Sequence, residues 1–369
     1  PDRWGIDRSL IQKWRENLSR HFLLEMGMKE DYEKEQKQAD STFKAFDFSN
    51  PLDPEKRIKR TWIFTFFVIG VLMVIMLVIT LVYNREYVSY SDQHQGMSIR
   101  LVIEKTAHSD ELAQKAFFEF KRVVEKYTTQ YAVIPVQSPE DGLLTLDEET
   151  LSLVNRLATI AEYSGGLYDY TLGNLALLYE TSNSPSESAV EQAMEQIGFY
   201  NVAFSEEGIK LFNHVKFYLK PVAVAYAMDC VVDLLKRLNE KQTGYIQVDR
   251  NLAIIGERNA STDWMDTLEM VGEEKILYLG KGGVWRGRLE ELTTVTGDIQ
   301  RSKYEYAMVI SDTTLQAKTA LMALSALEKE KAVEYINKWS LIGAFRYDGK
   351  TEFFNGFEGL FVNDNKVME

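Results

Sequence analysis

Gly165-Gly166-Leu167-Tyr168-Asp169-Tyr170-Thr171-Leu172-Gly173 is the stretch on which the fold turns. Upstream of it, Leu146–Ser164 is amphipathic at helical spacing. The glycine pair falls where that helix must stop, and glycine takes the left-handed cap conformation without steric cost. Downstream, Leu172–Tyr179 reads as a second helix. Asp169 and Thr171 stand just ahead of it and are the side-chain types that cap helix starts. Two uses are open for this pair: capping, or contact with a ligand.

On both sides of this junction strands and helices interleave. Ser98–Glu104 alternates apolar and polar residues like a half-buried strand, and Glu111–Tyr127 is an amphipathic helix. Ser184-Pro185-Ser186-Glu187 is a capping box with proline at the first helical position, and Gly198 closes its helix. Short strands follow near Val202 and Ile209, then a helix over Val222–Leu238. Gly244–Val248, Ala253–Gly256, Ile276–Leu279 and Gly343–Tyr347 read as strands, and Thr314–Leu327 and Lys331–Trp339 as helices. The pattern implies one α+β domain over 96–369.

Thr61–Tyr83 carries no charge and is long enough, as a helix, to cross a bilayer core of about 30 Å. Trp62 and Tyr83 mark its ends. Lys56, Arg57, Lys59 and Arg60 precede it and only Arg85 closely follows, so the positive-inside rule places residues 1–60 in the cytoplasm. The expected order is a cytoplasmic segment (1–60), a transmembrane helix (61–83), a polar stalk (84–95) and an extracytoplasmic domain, periplasmic or extracellular. Within the first segment Leu10, Ile11, Trp14, Leu18, Phe22 and Leu23 recur at helical spacing. That helix either lies on the membrane surface or docks on a partner subunit through Trp14, Leu18 and Phe22.

The net charge of −13 is concentrated in the outer domain: residues 1–60 hold 13 basic and 12 acidic side chains. So acidic a domain is repelled by nucleic-acid phosphate and by anionic lipid. A single cysteine, Cys230, excludes an internal disulfide and reads as an inert buried thiol. His21, His94, His108 and His214 lack metal-ligand spacing. Gly280-Lys281-Gly282-Gly283 lacks the spacing of a phosphate loop and reads as a hairpin turn. Asn259-Ala260-Ser261 is a glycosylation sequon of the kind that arises by chance.

The junction at 165–173 resembles the ApbE family, FAD-dependent protein flavin transferases whose motif reads Gly-x-Phe-Asp-Pro-Thr-x-Gly-Pro-Leu. The order of elements agrees with it: a strand and helix from Gly96-Met97-Ser98, a Pro-Ser-Glu helix ending in Gly-Tyr at Pro185 to Tyr200, and Leu219 to Asp229 on the family's Leu-Gly-Gly-Ile-Ala-Lys-Gly-Tyr-Ala-Val-Asp. The resemblance spans about Gln95 to Gly349 and implies an ApbE-like, T-fold-like α+β domain. It also places Asp169, Thr171, Tyr226 and Asp229 at cofactor-binding positions, should flavin be bound.

Departures accompany the match. The glycine pair has become Lys220-Pro221, and the following lysine and glycine are Val224 and Ala225. The family's Asn-x-Gly-Gly-Asp-Ile falls on Gln247-Val248-Asp249-Arg250-Asn251-Leu252. No histidine follows His214, so the family's catalytic histidine loop has no counterpart. The metal-binding Asp and Thr fall on Ala317 or Lys318 and on Leu321 or Met322, according to a one-residue register. Mg²⁺ takes hard oxygen ligands, which neither lysine nor methionine provides. The expectation is a non-catalytic accessory subunit of a membrane complex, with no catalytic or metal residues and no required cofactor. An active flavin transferase acting on Thr or Ser of exported proteins, and a module that holds FAD without turnover, are the competing readings.

Overall fold

The computed structural model describes residues 54–83, 86–135, 142–182, 184–256, 264–270, 273–279, 282–287, 304–325 and 327–361. Trp14, Leu18, Phe22 and the 259–261 sequon lie outside the described residues. The chain divides into two compact units, 1–84 and 85–369.

Among the described residues of the first unit, helix α1 spans Pro54–Tyr83. Its described side chains, 62–76, are all exposed. Among the described residues no helix is long and apolar enough to cross a membrane. The expected span over 61–83 is therefore not shown.

The second unit is built on an eight-stranded sheet with the order β1-β2-β8-β9-β12-β13-β14-β15, antiparallel throughout. Its strands are β1 (Tyr87–His94), β2 (Met97–Glu104), β8 (Gly244–Val248), β9 (Asn251–Ile255), β12 (Gly283–Gly287), β13 (Tyr304–Ser311), β14 (Ile342–Tyr347) and β15 (Lys350–Phe354). The polar segment expected as a stalk is in fact the edge strand: Tyr87 pairs with Glu104 and His94 with Met97. Its polar residues suit an edge, since they point to solvent every second position. Gly283 opens β12 between Ala253 and Ser311. The strand before it, β11 (Glu273–Leu279), pairs instead with β10 (Trp264–Met270). Since β11 and β12 belong to different sheets, they are not the two arms of the hairpin expected at 280–283.

Helices α2 (Ser109–Glu125), α6 (Ala223–Leu238), α7 (Thr314–Ser325) and α8 (Lys329–Lys338) enter between adjacent antiparallel strands: α2 and α6 between β2 and β8, α7 and α8 between β13 and β14. The alternation of β2 explains their placement. Ile99, Leu101 and Ile103 are fully buried in one core with Phe120, Val123, Tyr127, Met228, Val231 and Leu321. Val102 faces a second, smaller core with Leu252, Val284, Met308 and Phe357.

Between α2 and α6 lies an insertion of helices α3 (Glu148–Ser164), α4 (Gly173–Thr181) and α5 (Glu187–Glu195) with the small strands β3 (Val133–Ile134), β4 (Leu143–Leu144), β5 (Val202–Ser205), β6 (Gly208–Leu211) and β7 (Phe217–Tyr218). α3 starts under the Asp147 side chain, which accepts from Thr150 N, and ends at Gly165 in the left-handed conformation, as the glycine pair predicts. α5 starts two residues later than expected. Ser186, not Ser184, accepts from Ala189 N, and Pro185 precedes the helix.

Candidate functional site

The four residues singled out by the sequence fall into two groups. Asp169 and Thr171 form a pin. Asp169 Oδ1 accepts from Thr171 N at 2.8 Å and from Thr171 Oγ1 at 2.6 Å, and its Oδ2 accepts from Phe199 N at 3.0 Å. Thr171 Oγ1 in turn accepts from Gly198 N at 2.8 Å. Thr171 is fully buried. The two side chains therefore do not cap the next helix, which has no side-chain cap. They hold the 198–199 turn against the junction. Gly173 completes the clamp: its N donates to Lys216 O at 2.9 Å, and a β-carbon there would meet Lys216 backbone at 2.7 Å.

Tyr226 and Asp229 sit one turn apart on α6 and face inward. Asp229 Oδ1 accepts from Thr314 N at 2.8 Å, and Oδ2 accepts from Leu315 N at 3.1 Å and from Arg156 Nη2 at 3.0 Å. An aspartate from one helix thus caps the start of another, satisfying donors that α7 leaves unpaired. Burial pushes the Asp229 carboxyl upward, opposed by the Arg156 guanidinium and by the two backbone N–H groups. Arg156 also lies over the Tyr226 ring, 5.7 Å from its centroid. Tyr226 meets Tyr127 edge to face at 5.6 Å, and its hydroxyl donates to Glu149 O at 3.4 Å.

Beside this lies a charge network absent from the sequence reading. Arg122 bridges Glu119 and Glu149, and Lys126 bridges Asp147 and Glu149. The Arg122 bond and Lys126 hold Glu149 below its ordinary value. Burial opposes ionisation of Asp147, but Lys126 and Thr150 together bring it down to about 2. Cys230, next to Asp229, is pushed up to about 12 by burial, consistent with the inert thiol expected from its helical context.

Both registers of the expected metal positions fall on α7. Ala317 and Leu321 are fully buried in the core. Lys318 and Met322 are half-buried, on the stripe of α7 that also carries the fully buried Thr314. Lys318 Nζ sits 5.1 Å from the centroid of the Trp285 ring on β12. Among the described residues no group of three His, Cys, Asp or Glu side chains is arranged to hold a metal ion. The donor set does not fit Mg²⁺, because Asp229 has both oxygens engaged and its neighbour on the stripe is an ammonium. The glycine-poor segments also have structural uses. Lys220–Val222 is a single 3-10 turn leading into α6. Asp249-Arg250 is the tight turn between β8 and β9, closed by Ser98 N donating to Asp249 Oδ1 at 2.9 Å.

Arg156 and Trp285 carry much of this geometry, and neither stood out in the sequence. Arg156 is one charge on an amphipathic helix, 73 positions from Asp229, and no local pattern links the two.

Residues 95–278 match the model of the ApbE family. The fold matches a solved ApbE protein from Thermotoga maritima at a TM-score of 0.62 and 20% identity, covering 75% of this chain and 100% of that one. The flavinyl transferase ApbE of Pseudomonas stutzeri matches at 0.63 and 18%, covering 76% and 99%. The flavin transferase ApbE from Vibrio cholerae matches at 0.61 and 13%, covering 75% and 100%. At these identities the likeness establishes the fold. No curated protein sequence matches the chain.

Proposed function

We propose that this chain, which carries an ApbE-family domain with residues 95–278 matching the family model, is a membrane-anchored, non-catalytic subunit of a larger membrane complex. One observation carries the non-catalytic reading: both oxygens of Asp229 are committed to Arg156 and to the start of α7. A carboxylate spent on capping a helix is not free to ligate a metal or a flavin. The pin at Asp169 and Thr171 points the same way, since its acceptors are taken up by Thr171, Gly198 and Phe199. Flavin transfer breaks a diphosphate and needs charge neutralisation placed with the nucleophile. This site offers cations fixed by internal partners instead.

Anchoring is supported by α1. Its described large side chains are exposed on every face although they are apolar, from Val68 at 38% to Met73 at 70%. A helix apolar all round is stable only inside protein or lipid. With the apolar run continuing to Tyr83 and basic residues before Thr61, the reading is a bilayer span with residues 1–60 cytoplasmic and the domain outside. Partner contact would run through Trp14, Leu18 and Phe22.

The deciding experiment incubates the full chain in detergent with FAD, Mg²⁺ and an acceptor protein bearing a target threonine or serine, beside an authentic transferase. The expected result is no covalent flavin on the acceptor. Fluorescent acceptor dependent on this chain overturns the reading in favour of an active flavin transferase. Protease added outside spheroplasts is expected to release the domain, and polar replacement of Trp14, Leu18 and Phe22 to release co-purifying subunits. Protection of the domain sinks the topology.

A further inference from the structure

We infer that the Lys318 ammonium is the site's own fixed cation, standing on the α7 stripe where a divalent ion would otherwise be held and keeping such ions out. The inference deepens the non-catalytic reading and rests on it for the identity of the site. Thr314, Lys318 and Met322 are spaced four apart, so their side chains stack on one face with β-carbons about 6 Å apart per step. The first of these positions receives the Asp229 carboxylate at its backbone N–H. The second carries the ammonium over Trp285, itself only 8% exposed. Among the described residues Lys318 forms no ion pair with a carboxylate.

The local balance of charge follows from these contacts. Asp229 is neutralised by Arg156 at 3.0 Å. The partial positive charge of the α7 start adds to it. Lys318 is then one uncompensated positive charge a single helical turn away, held against an aromatic face that favours a cation. A divalent ion approaching Asp229 would meet two fixed cations and a helix start, with one carboxylate whose oxygens already accept three hydrogen bonds. Asp312, two residues before the helix, is exposed and offers no enclosed ligand. The aromatic contact gives the ammonium a position of its own, and with Asp229 already neutralised by Arg156 the site has no net negative charge for a divalent cation to offset.

The test uses Mn²⁺ as a paramagnetic probe on the metal-stripped full chain in detergent micelles, reading bound ion from loss of the free-ion signal. Wild type is expected to leave 1 mM Mn²⁺ unbound at this site, and Lys318→Glu to take up about one equivalent. Stoichiometric binding by wild type that disappears in Asp229→Asn overturns the inference. So does a folded Lys318→Glu variant that binds no more than wild type. If the glutamate variant does not fold, Lys318→Gln must raise occupancy at 1 mM at least tenfold, or the inference fails. Metal occupancy without flavin transfer would sink this inference and spare the proposed function; transfer without occupancy would do the reverse.

Discussion

Replacing Asp229 with alanine removes three hydrogen bonds at once and separates a structural role from a ligand-binding one. The two backbone N–H groups of α7 lose their cap, which costs about 1 kcal/mol and up to about 2 at well-ordered caps. Arg156 loses its carboxylate. Breaking a fully buried pair costs about 3–5 kcal/mol, but the Arg156 side chain is 34% exposed and water recovers part of that. Together the two losses predict a destabilisation of about 2–4 kcal/mol. Asp229→Asn keeps one acceptor oxygen for the N–H groups and is expected to lose about half as much. Arg156→Met leaves the carboxylate buried with only backbone donors, so the double variant Asp229→Ala/Arg156→Met should be milder than the sum by at least about 1 kcal/mol. Urea titration of the full chain in micelles, followed by tryptophan fluorescence, measures all four species. A loss below about 0.5 kcal/mol for Asp229→Ala, or strict additivity in the double variant, refutes the capping account and returns Asp229 to the pool of ligand-binding candidates.

Lys318→Met should stabilise the fold, and more so at low pH. Burial pulls the Lys318 ammonium from 10.5 to about 8. The unfolded chain therefore binds more protons between about pH 8 and 10.5, and wild-type stability rises across that window. The advantage of Lys318→Met, about 1–3 kcal/mol at pH 7 after allowing for the lost contact with Trp285, should shrink toward pH 10.5; a pH-independent difference in urea midpoints would contradict it. Gly173→Ala should cost at least about 2 kcal/mol by overpacking against the Lys216 backbone, read by the same titration, and a neutral outcome would mean the clamp has room. Thr171→Val should speed amide exchange at Gly198 by at least tenfold through loss of its 2.8 Å acceptor, measured by hydrogen–deuterium exchange.

Much of the fold was legible because its helices announce themselves locally. Ser164-Gly165 ends α3 where a left-handed glycine belongs, and the apolar spacing of 223–238 gives α6 nearly to the residue. Edge and connecting strands were not. β1 is polar on its exposed face and reads as linker until its pairing with β2 is seen. β12 and β13 acquire strand character from neighbours far away in sequence. The site shows the same division. Asp169, Thr171 and Asp229 could be picked out as polar residues in a motif, but their partners are backbone N–H groups 30, 27 and 85 positions away. Whether an oxygen is free or committed is a property of such distant pairings, so sequence alone left both uses of each residue open.

The clamp around 173–195 also has a bearing on how this domain tolerates change. Asp169 and Thr171 hold one foot of the excursion at Gly198 and Phe199, and Lys216 holds the other at Gly173. With its base fastened by the Asp169 and Thr171 side chains at one foot and by the Lys216 backbone carbonyl at the other, the excursion through α4 and α5 can be cut or lengthened in its interior without freeing its ends. A protease nick near Ser182–Ser184 should leave both fragments assembled. The same place is where a fluorescent protein or affinity tag can be inserted with least disturbance to the sheet.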